Sequence, residues 1–557
     1  MSDFSFVDNE GRPHKMPDRL EFVSRRSPVL GLRGMVATSQ PLAVQAGLEV
    51  LGQGGTAADG AVAAAAALSV TEPTSTGLGG DAFALFYEAS NGRVTALNGS
   101  GRAPRGLTLE LLTAQGFGRE LPAFHAHTVT VPGACAAWCD LLERHGRLPR
   151  AATLAPAIRL AEDGFPVSPI TAHFWGRGVE RQLRTSPGGL ELTIEGRAPR
   201  PGEIFRNPGL ARTLRAVAEA GPAPFYEGEI ARSIAASVQA AGGVLDEADL
   251  AGHRSTWDEP VSTVYRGIRV WECPPNGQGL VALLALNILE GFSIARHAAL
   301  GPRRLHLLAE ALRLAFADAA WYVADPAFAP APLDRLLSPE YGAARRDRID
   351  IGKAARRVGP GLRPAGDDTV YLTVVDGTGN ACSFIQSNYM GFGTGIVPHG
   401  WGFSLQNRGH NFRLDPAHPN GLAPGKRPYH TIIPALATRD DGSLFASFGV
   451  MGGFMQPQGH VQVLQALVDD GLDPQAALDR PRICLAETQR GWDLALEAGI
   501  STRTGARLAA MGHRVRSISG HERALFGRGQ VIVRDSQSGV LWGGSDPRAD
   551  GCAAAVA

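Results

Sequence analysis

Two places in the 557-residue chain bring together residue types that could do covalent chemistry. At Asp367-Asp368-Thr369 a polar segment stops and a regular β-branched run begins on a hydroxyl residue. At Gly449-Val450-Met451-Gly452-Gly453 a glycine loop lies between an expected strand and an expected helix, where N–H groups without intrahelical partners can face an oxyanion. A nucleophile and an oxyanion hole are both conceivable, yet no His or Asp is obviously placed as general base. One chemistry removes that difficulty. If the chain is cut between Asp368 and Thr369, the freed α-amine of Thr369, with a reference pKa of about 7.7 to 8.0, is itself the base near neutral pH. The cut requires the Thr369 hydroxyl to attack the Asp368 carbonyl, and a strained peptide there would help.

Other chemistries lose support. The chain has no G-x-S-x-G elbow, no H-E-x-x-H pair, no G-x-x-x-x-G-K-[ST] phosphate loop and no C-x-x-C pair. His306 and Glu310 lie one helical turn apart, but a lone His/Glu pair on an amphipathic helix reads as structural. Cys135 and Cys139 share a helical face and read as two small core residues. Six cysteines are too few for a disulfide framework in a chain of this size, so reduced thiols are expected. Lys+Arg and Asp+Glu both number 54, so no global field favours nucleic acid, anionic lipid or a polyanion. The segment MSDFSFVDNEGRPHKMPDRLEF lacks an apolar secretory core, which predicts a cytoplasmic location. The most apolar run, residues 57–70, carries Asp59 and is too short to span a bilayer, so it reads as a buried Ala-rich helix.

The elements that must position Thr369 and the glycine loop alternate early. Residues 35–38 read as a strand, Pro41 opens a helix, and a second helix follows Gly52–Gly55. Residues 82–87 and 94–97 flank Asn91-Gly92, a hairpin signal. The pattern predicts mostly helix from 107 to 330, a helical layer covering a sheet, and an exposed linker over 344–368. TVYLTVV (369–375) then reads as a strand, 376–380 as a turn, 381–387 and 444–448 as strands, and 457–470 as a helix. A helix over 502–511 and strands over 515–518, 530–533 and near Val540 complete the reading. Length alone suggests three or four domains.

The chain resembles the γ-glutamyltranspeptidase family of N-terminal nucleophile hydrolases over nearly its whole length. The resemblance is carried by MVATSQPLAVQAGLEVLGQGGTAADGAVA (35–63), GLGGDAF (77–83), EALRLAFADAAWYVADP (310–326) and GGSDPRADG (543–551). DTVYLTVVDGTGNA (368–381) looks like the family's processing site. The resemblance implies an α/β fold, a four-layer αββα sandwich built as one intertwined unit from a large subunit (1–368) and a small one (369–557). It also implies that Thr369 is both the cleavage residue and the nucleophile, that Ser387 is a second hydroxyl bonding the freed amine, and that Gly452 and Gly453 form the oxyanion hole. His430 and Thr431, ending GKRPYHT (425–431), take the place of substrate-pocket residues.

Departures from the family pattern point to the substrate. Ser100 stands where glutathione-using members hold the α-carboxylate with an Arg, and the nearest Arg is Arg102. An Asn is replaced by Tyr389, a Gln by Arg408, the Asp that pairs with an α-ammonium by Asn411, and a Ser by His430. An ammonium loses its counter-ion, while Arg408 and His430 add positive charge. The segment 412–428 looks shorter than in members with a lid, implying an open pocket. These changes favour a small amide whose acyl group has a carboxylate and no α-amine, oxamate-like or glutaryl-like, as in the acylase and amidohydrolase branch. A true γ-glutamyltransferase or glutathione hydrolase is the alternative, and an unprocessed, non-enzymatic binding relative the alternative of another class. The cycle needs no metal or organic cofactor. The expected partners are the amide substrate and the two cleavage fragments as a heterodimer, with pairing of such heterodimers left open.

Overall fold

The computed structural model describes residues 26–355, 369–488 and 491–557. Two seven-stranded sheets, antiparallel throughout, form its centre. One runs in the order Cys552–Ala555, Gly34–Thr38, Val370–Asp376, Ala381–Ser387, Asp81–Glu88, Arg93–Asn98, Thr256–Asp258. The other runs Val29–Gly31, Leu541–Ser545, Arg528–Arg534, Leu444–Met451, Ala435–Thr438, Ile268–Glu272, Val261–Tyr265. Both sheets thus mix strands from before and after residue 368.

Side-chain alternation sorts these strands into layers. In Val370–Asp376, Tyr371 and Val375 face the partner sheet with Phe83, Ile385, Leu436 and Ile532. Val370, Leu372 and Val374 face outward onto helices Pro41–Gly52, Ala57–Thr71 and Ala134–His145. A strand buried on both faces reads as an unbroken apolar run, as TVYLTVV does. On the other side, Val270, Ala437, Phe448 and Val450 pack beneath helices Gly279–Glu290, Pro302–Tyr322 and Met455–Val468. Helix, sheet, sheet, helix with three apolar interlayers is the expected four-layer sandwich.

The Ala-rich helix is buried along its whole length. Asp59 is tolerated there because it completes a capping box with Thr56 and accepts the Arg147 N–H (2.8 Å). Asp376, the last residue of the Val370–Asp376 strand, accepts the first helical N–H, from Ala57 (2.9 Å), and so ties the helix to that strand.

Three expectations are corrected. The stretch 107–330 is not all helical: Thr256–Asp258, Val261–Tyr265 and Ile268–Glu272 are strands of the central sheets. Gly449 to Met451 is not loop but the end of the strand Leu444–Met451. The expected linker starts too early, since the helix Pro339–Arg346 runs into it; 356–368, including Asp368, lies outside the described residues. The strands Ile483–Thr488, Gly491–Glu497 and Cys552–Ala555 have no counterpart in the sequence pattern. All six cysteines are unpaired, and among the described residues no helix is long and apolar enough to cross a membrane.

Candidate active site

Strand register assembles the centre of the site. Val370 pairs with Gln386 and Ser387 pairs with Asp81, so Thr369, Ser387 and Asp81 fall in one row at the end of three adjacent strands. Thr369 Oγ1 lies 3.1 Å from Ser387 Oγ, and both residues are fully buried. The glycine turn before Asp81 permits this row: a Cβ on Gly80 would stand 2.3 Å from the Ser387 carbonyl oxygen.

Further hydrogen bonds converge on Ser387. Its Oγ accepts the Tyr389 N–H (2.8 Å) and one Arg408 Nη (3.3 Å), while the other Arg408 Nη donates to Thr431 Oγ1 (2.6 Å). The guanidinium lies 4.2 Å from the centre of the Tyr389 ring, a cation–π contact. Tyr389 has φ +80°, a left-handed conformation costly for an aromatic residue; its ring, amide and hydroxyl are each held, the last by Asn411 Oδ1 (2.6 Å). Asn411 donates to the Tyr429 carbonyl (3.0 Å). Thr369, Ser387, Tyr389, Arg408, Asn411 and Thr431 are therefore one hydrogen-bonded group.

Gly452 and Gly453 adopt positive φ, +128° and +54°, at the turn between the strand Leu444–Met451 and the helix Met455–Val468. Among the described residues neither N–H has a backbone acceptor, as an oxyanion hole requires. Gln278 holds this turn to the pocket: its Nε2 donates to the carbonyls of Gly453 (2.8 Å) and Thr431 (2.6 Å). Gln456, in the first helical turn, points Nε2 at Thr369 Oγ1 (3.5 Å) and accepts the Ile433 N–H (2.9 Å) through Oε1.

His430 departs from the charge expected of it. Burial, the neighbouring Arg408 charge and, more weakly, Arg427 lower its pKa to about 3 against the pull of Asp81, so the imidazole is neutral. Nδ1 accepts the Ile432 N–H (3.3 Å), which leaves Nε2 to donate to Asp81 (3.0 Å). The second positive charge is Arg427, almost fully buried. Desolvation lowers its pKa to about 10, still charged at neutral pH, and its Nε donates to the Ser100 carbonyl (3.0 Å). Ser100 Oγ accepts from Asn276 (3.0 Å), which also donates to the Pro428 carbonyl (2.7 Å). Arg102 is half-buried and directs Nη1 to the Arg254 carbonyl (3.5 Å), an acceptor it shares with Arg427 Nη2 (3.4 Å). The open pocket expected from the short 412–428 segment is not found over Thr369: Arg408, Thr431 and Thr369 are all fully buried.

Asp81, Gln278, Arg427 and Gln456 are site residues that sequence reasoning misses. Asp81 stands inside the GLGGDAF motif, and a charged residue beginning a strand that is otherwise apolar is its available signal. The His306 and Glu310 pair gains a third neighbour, His513, but His306 already bonds His513 (2.8 Å) and Glu310 is paired with Arg313 (2.7 Å). These contacts keep the structural reading of the cluster.

Two face-to-face antiparallel sheets between helical layers, with a buried hydroxyl at the head of a central strand, define the N-terminal nucleophile hydrolase class. A solved cephalosporin acylase from Bacillus halodurans superposes with a TM-score of 0.89 and 48% identity, covering 97% of this chain and 99% of that one. The sequence matches the γ-glutamyltranspeptidase family over residues 43–556, and the chain belongs to that family. It is 38% identical to the glutathione hydrolase-like YwrD proenzyme of Bacillus subtilis (95% of this chain, 99% of that one). It is likewise 38% identical to the oxamate amidohydrolase proenzyme of Klebsiella pneumoniae (94% and 98%). As an enzyme it stands with the amide-bond hydrolases and acylases of the family.

Proposed function

We propose that the chain cuts itself between Asp368 and Thr369 and then hydrolyses small amides whose acyl group carries a carboxylate but no α-amine. The observation that carries this reading is the buried pair Thr369 Oγ1 and Ser387 Oγ, 3.1 Å apart, with Gln456 directed at Thr369 Oγ1 and Gln278 holding the Gly453 turn from which Gln456 follows. In self-cleavage, Thr369 Oγ attacks the Asp368 carbonyl carbon, the peptide C–N bond breaks to free the Thr369 α-amine and leave an ester on Oγ, and water cleaves that ester into the Asp368 carboxylate and the Thr369 hydroxyl. In turnover, Oγ attacks the substrate carbonyl and its proton passes to the Thr369 α-amine. Gly452 and Gly453 N–H groups stabilise the oxyanion, the α-amine returns the proton to the departing nitrogen, and water cleaves the acyl ester. Amide plus water thus gives acid plus amine.

Arg408, with Tyr389, Asn411 and Thr431, is the wall against which the acyl carboxylate rests. Asn411 offers no negative charge, and its Oδ1 is taken by the Tyr389 hydroxyl (2.6 Å), which disfavours an α-ammonium. Ser100, Arg102 and His430 complete the pocket's outer side in this reading. The relatives named as proenzymes and as an oxamate amidohydrolase and a cephalosporin acylase support it. The name of the glutathione hydrolase-like relative keeps γ-glutamyl hydrolysis as the second reading. The product is a heterodimer of 1–368 and 369–557, and six unpaired thiols fit a reducing, cytoplasmic setting.

The test is a denaturing gel with an assay. Dividing the 58.7 kDa chain in proportion to its 368 and 189 residues gives expected bands of about 39 and 20 kDa. Thr369→Ala should remain one band and release no amine. A single wild-type band after long incubation, or an active Thr369→Ala, would sink the proposal. If γ-glutamyl-p-nitroanilide is cleaved as efficiently as glutaryl-p-nitroanilide, the second reading wins.

A further inference from the structure

Gly452 also lines a cavity of about 320 Å³ that opens beside the candidate oxyanion turn. Its other walls are Met390 to Phe392, which directly follow Tyr389, the segment around Arg177 and Arg181, and the stretch from Arg516 to Leu525. The volume lies at the lower end of the range of roughly 300 to 1,000 Å³ usual for small-molecule pockets. Gln182 fixes the first two walls together, donating to the carbonyls of Met390 and Gly393, each at 2.6 Å. It belongs to a π-helical turn, Val179–Leu183, a distortion frequent at functional sites.

The lining has a definite chemistry. Arg177, Arg181 and Arg516 contribute three positive charges against the single negative charge of Glu522, and among the described residues none of the three forms an ion pair. Phe124, which lies under Arg181 (5.5 Å to the ring centre), and Phe174 add apolar surface. Neighbouring charges are already neutralised: Arg184, on the next turn, is paired with Glu180 (2.7 Å).

We propose that this cavity receives the amine half of the substrate, and that it selects amines bearing an anionic group on an apolar body. The inference rests on Thr369 being the nucleophile. A carbonyl carbon held between Thr369 Oγ and the Gly452 and Gly453 N–H groups has two substituents. The acyl side meets the enclosed Arg408 and Thr431, so the amine side leaves past Gly452, where the cavity lies. Opposite charge at the rim draws an anionic amine in and repels a cationic one.

The experiment uses the processed wild-type enzyme with glutaryl amides of 4-aminobenzoate, aniline and 4-aminobenzylamine, which are anionic, neutral and cationic on the amine side. Binding of free 4-aminobenzoate is measured in parallel by calorimetry. The expected kcat/KM falls in that order by about tenfold per step, carried by KM and reduced by salt. Joint charge reversal, Arg177→Glu with Arg181→Glu, should abolish the preference and weaken 4-aminobenzoate binding about tenfold, while Arg184→Glu should leave the preference as it is. Equal rates for the three amides, or a preference and binding unaltered by the double reversal, overturn the proposal. If 4-aminobenzoate binds in the expected charge-dependent way but no amide is cleaved, the anionic-amine site stands and the catalytic reading falls.

Discussion

Asn411 is where acyl specificity is most exposed to a single change. Its Oδ1 accepts the Tyr389 hydroxyl at 2.6 Å, and Tyr389 in turn carries Arg408 across its ring. A carboxylate in that position can still accept from the hydroxyl, and it adds the negative charge that an α-ammonium needs. It also lies near Arg408 and so competes with the acyl carboxylate for that guanidinium. Asn411→Asp is therefore expected to shift the ratio of kcat/KM for γ-glutamyl-p-nitroanilide over glutaryl-p-nitroanilide upward by about tenfold, the scale of one charge-assisted hydrogen bond. An unmoved ratio, with normal processing, would remove Asn411 from the acyl pocket. Tyr389 shows what the residue scale hides from sequence. Its identity is legible, but its left-handed backbone is not, because it is held by contacts to Asn411 and Arg408 from another segment together with its N–H bond to Ser387.

At the scale of elements, long periodic segments are readable and short or cross-linked ones are not. The helix Pro302–Tyr322 and the strands Val370–Asp376 and Ala381–Ser387 carry enough residues to show a period. The strands Thr256–Asp258, Val261–Tyr265 and Ile268–Glu272 are three to five residues long and only partly buried, so their alternation is lost among flanking helices. Thr369 and the paired glycines can be found because they lie next to strand ends, whereas Ser387 is found only through the family resemblance. Asp81 and Gln278 cannot, since their meaning is a set of bonds to partners up to 349 positions away.

Gly449 misleads for a related reason. Glycine signals a loop, but here it sits inside a strand because the Tyr371 ring of the facing sheet lies 2.5 Å from where a Cβ would be. That ring is held by a 2.7 Å bond to Ser383 and cannot swing aside freely. Gly449→Ala is expected to destabilise the fold by about 1 to 3 kcal/mol through overpacking between the sheets. Because Tyr371 is two residues from Thr369, appearance of the two cleavage fragments should slow as well. Urea unfolding and a gel time course check both; unchanged stability would show that the sheets yield.

Over the whole molecule the formal charge is zero, yet the interior holds titratable groups in states that bulk water would not choose at mildly acid pH. His253 and His430 are fully buried, and desolvation, the largest cause for each, brings their pKa to about 3. For His253 the facing groups are Asp81, which raises the value, and Arg427, Arg102 and Arg254, which lower it. Such a histidine stays neutral when folded and takes up a proton when unfolded once the pH drops below about 6.5, so acid pulls the equilibrium toward the unfolded chain. Stability is complete above that value and is lost as pH falls toward the folded pKa. His253 isolates the effect because, among the described residues, neither ring nitrogen has a hydrogen-bond partner and the ring stacks on Tyr226 at 5.3 Å. His253→Phe keeps the stacking and removes the titration. The variant should therefore match or exceed the wild type at pH 7.5. Between pH 7.5 and 5.5 it should lose about 1.4 kcal/mol less than the wild type, the cost of one pH unit on a single unfolded-state histidine. Urea unfolding at the two pH values measures the difference, and parallel losses in the two proteins would mean that His253 is not held neutral by the fold.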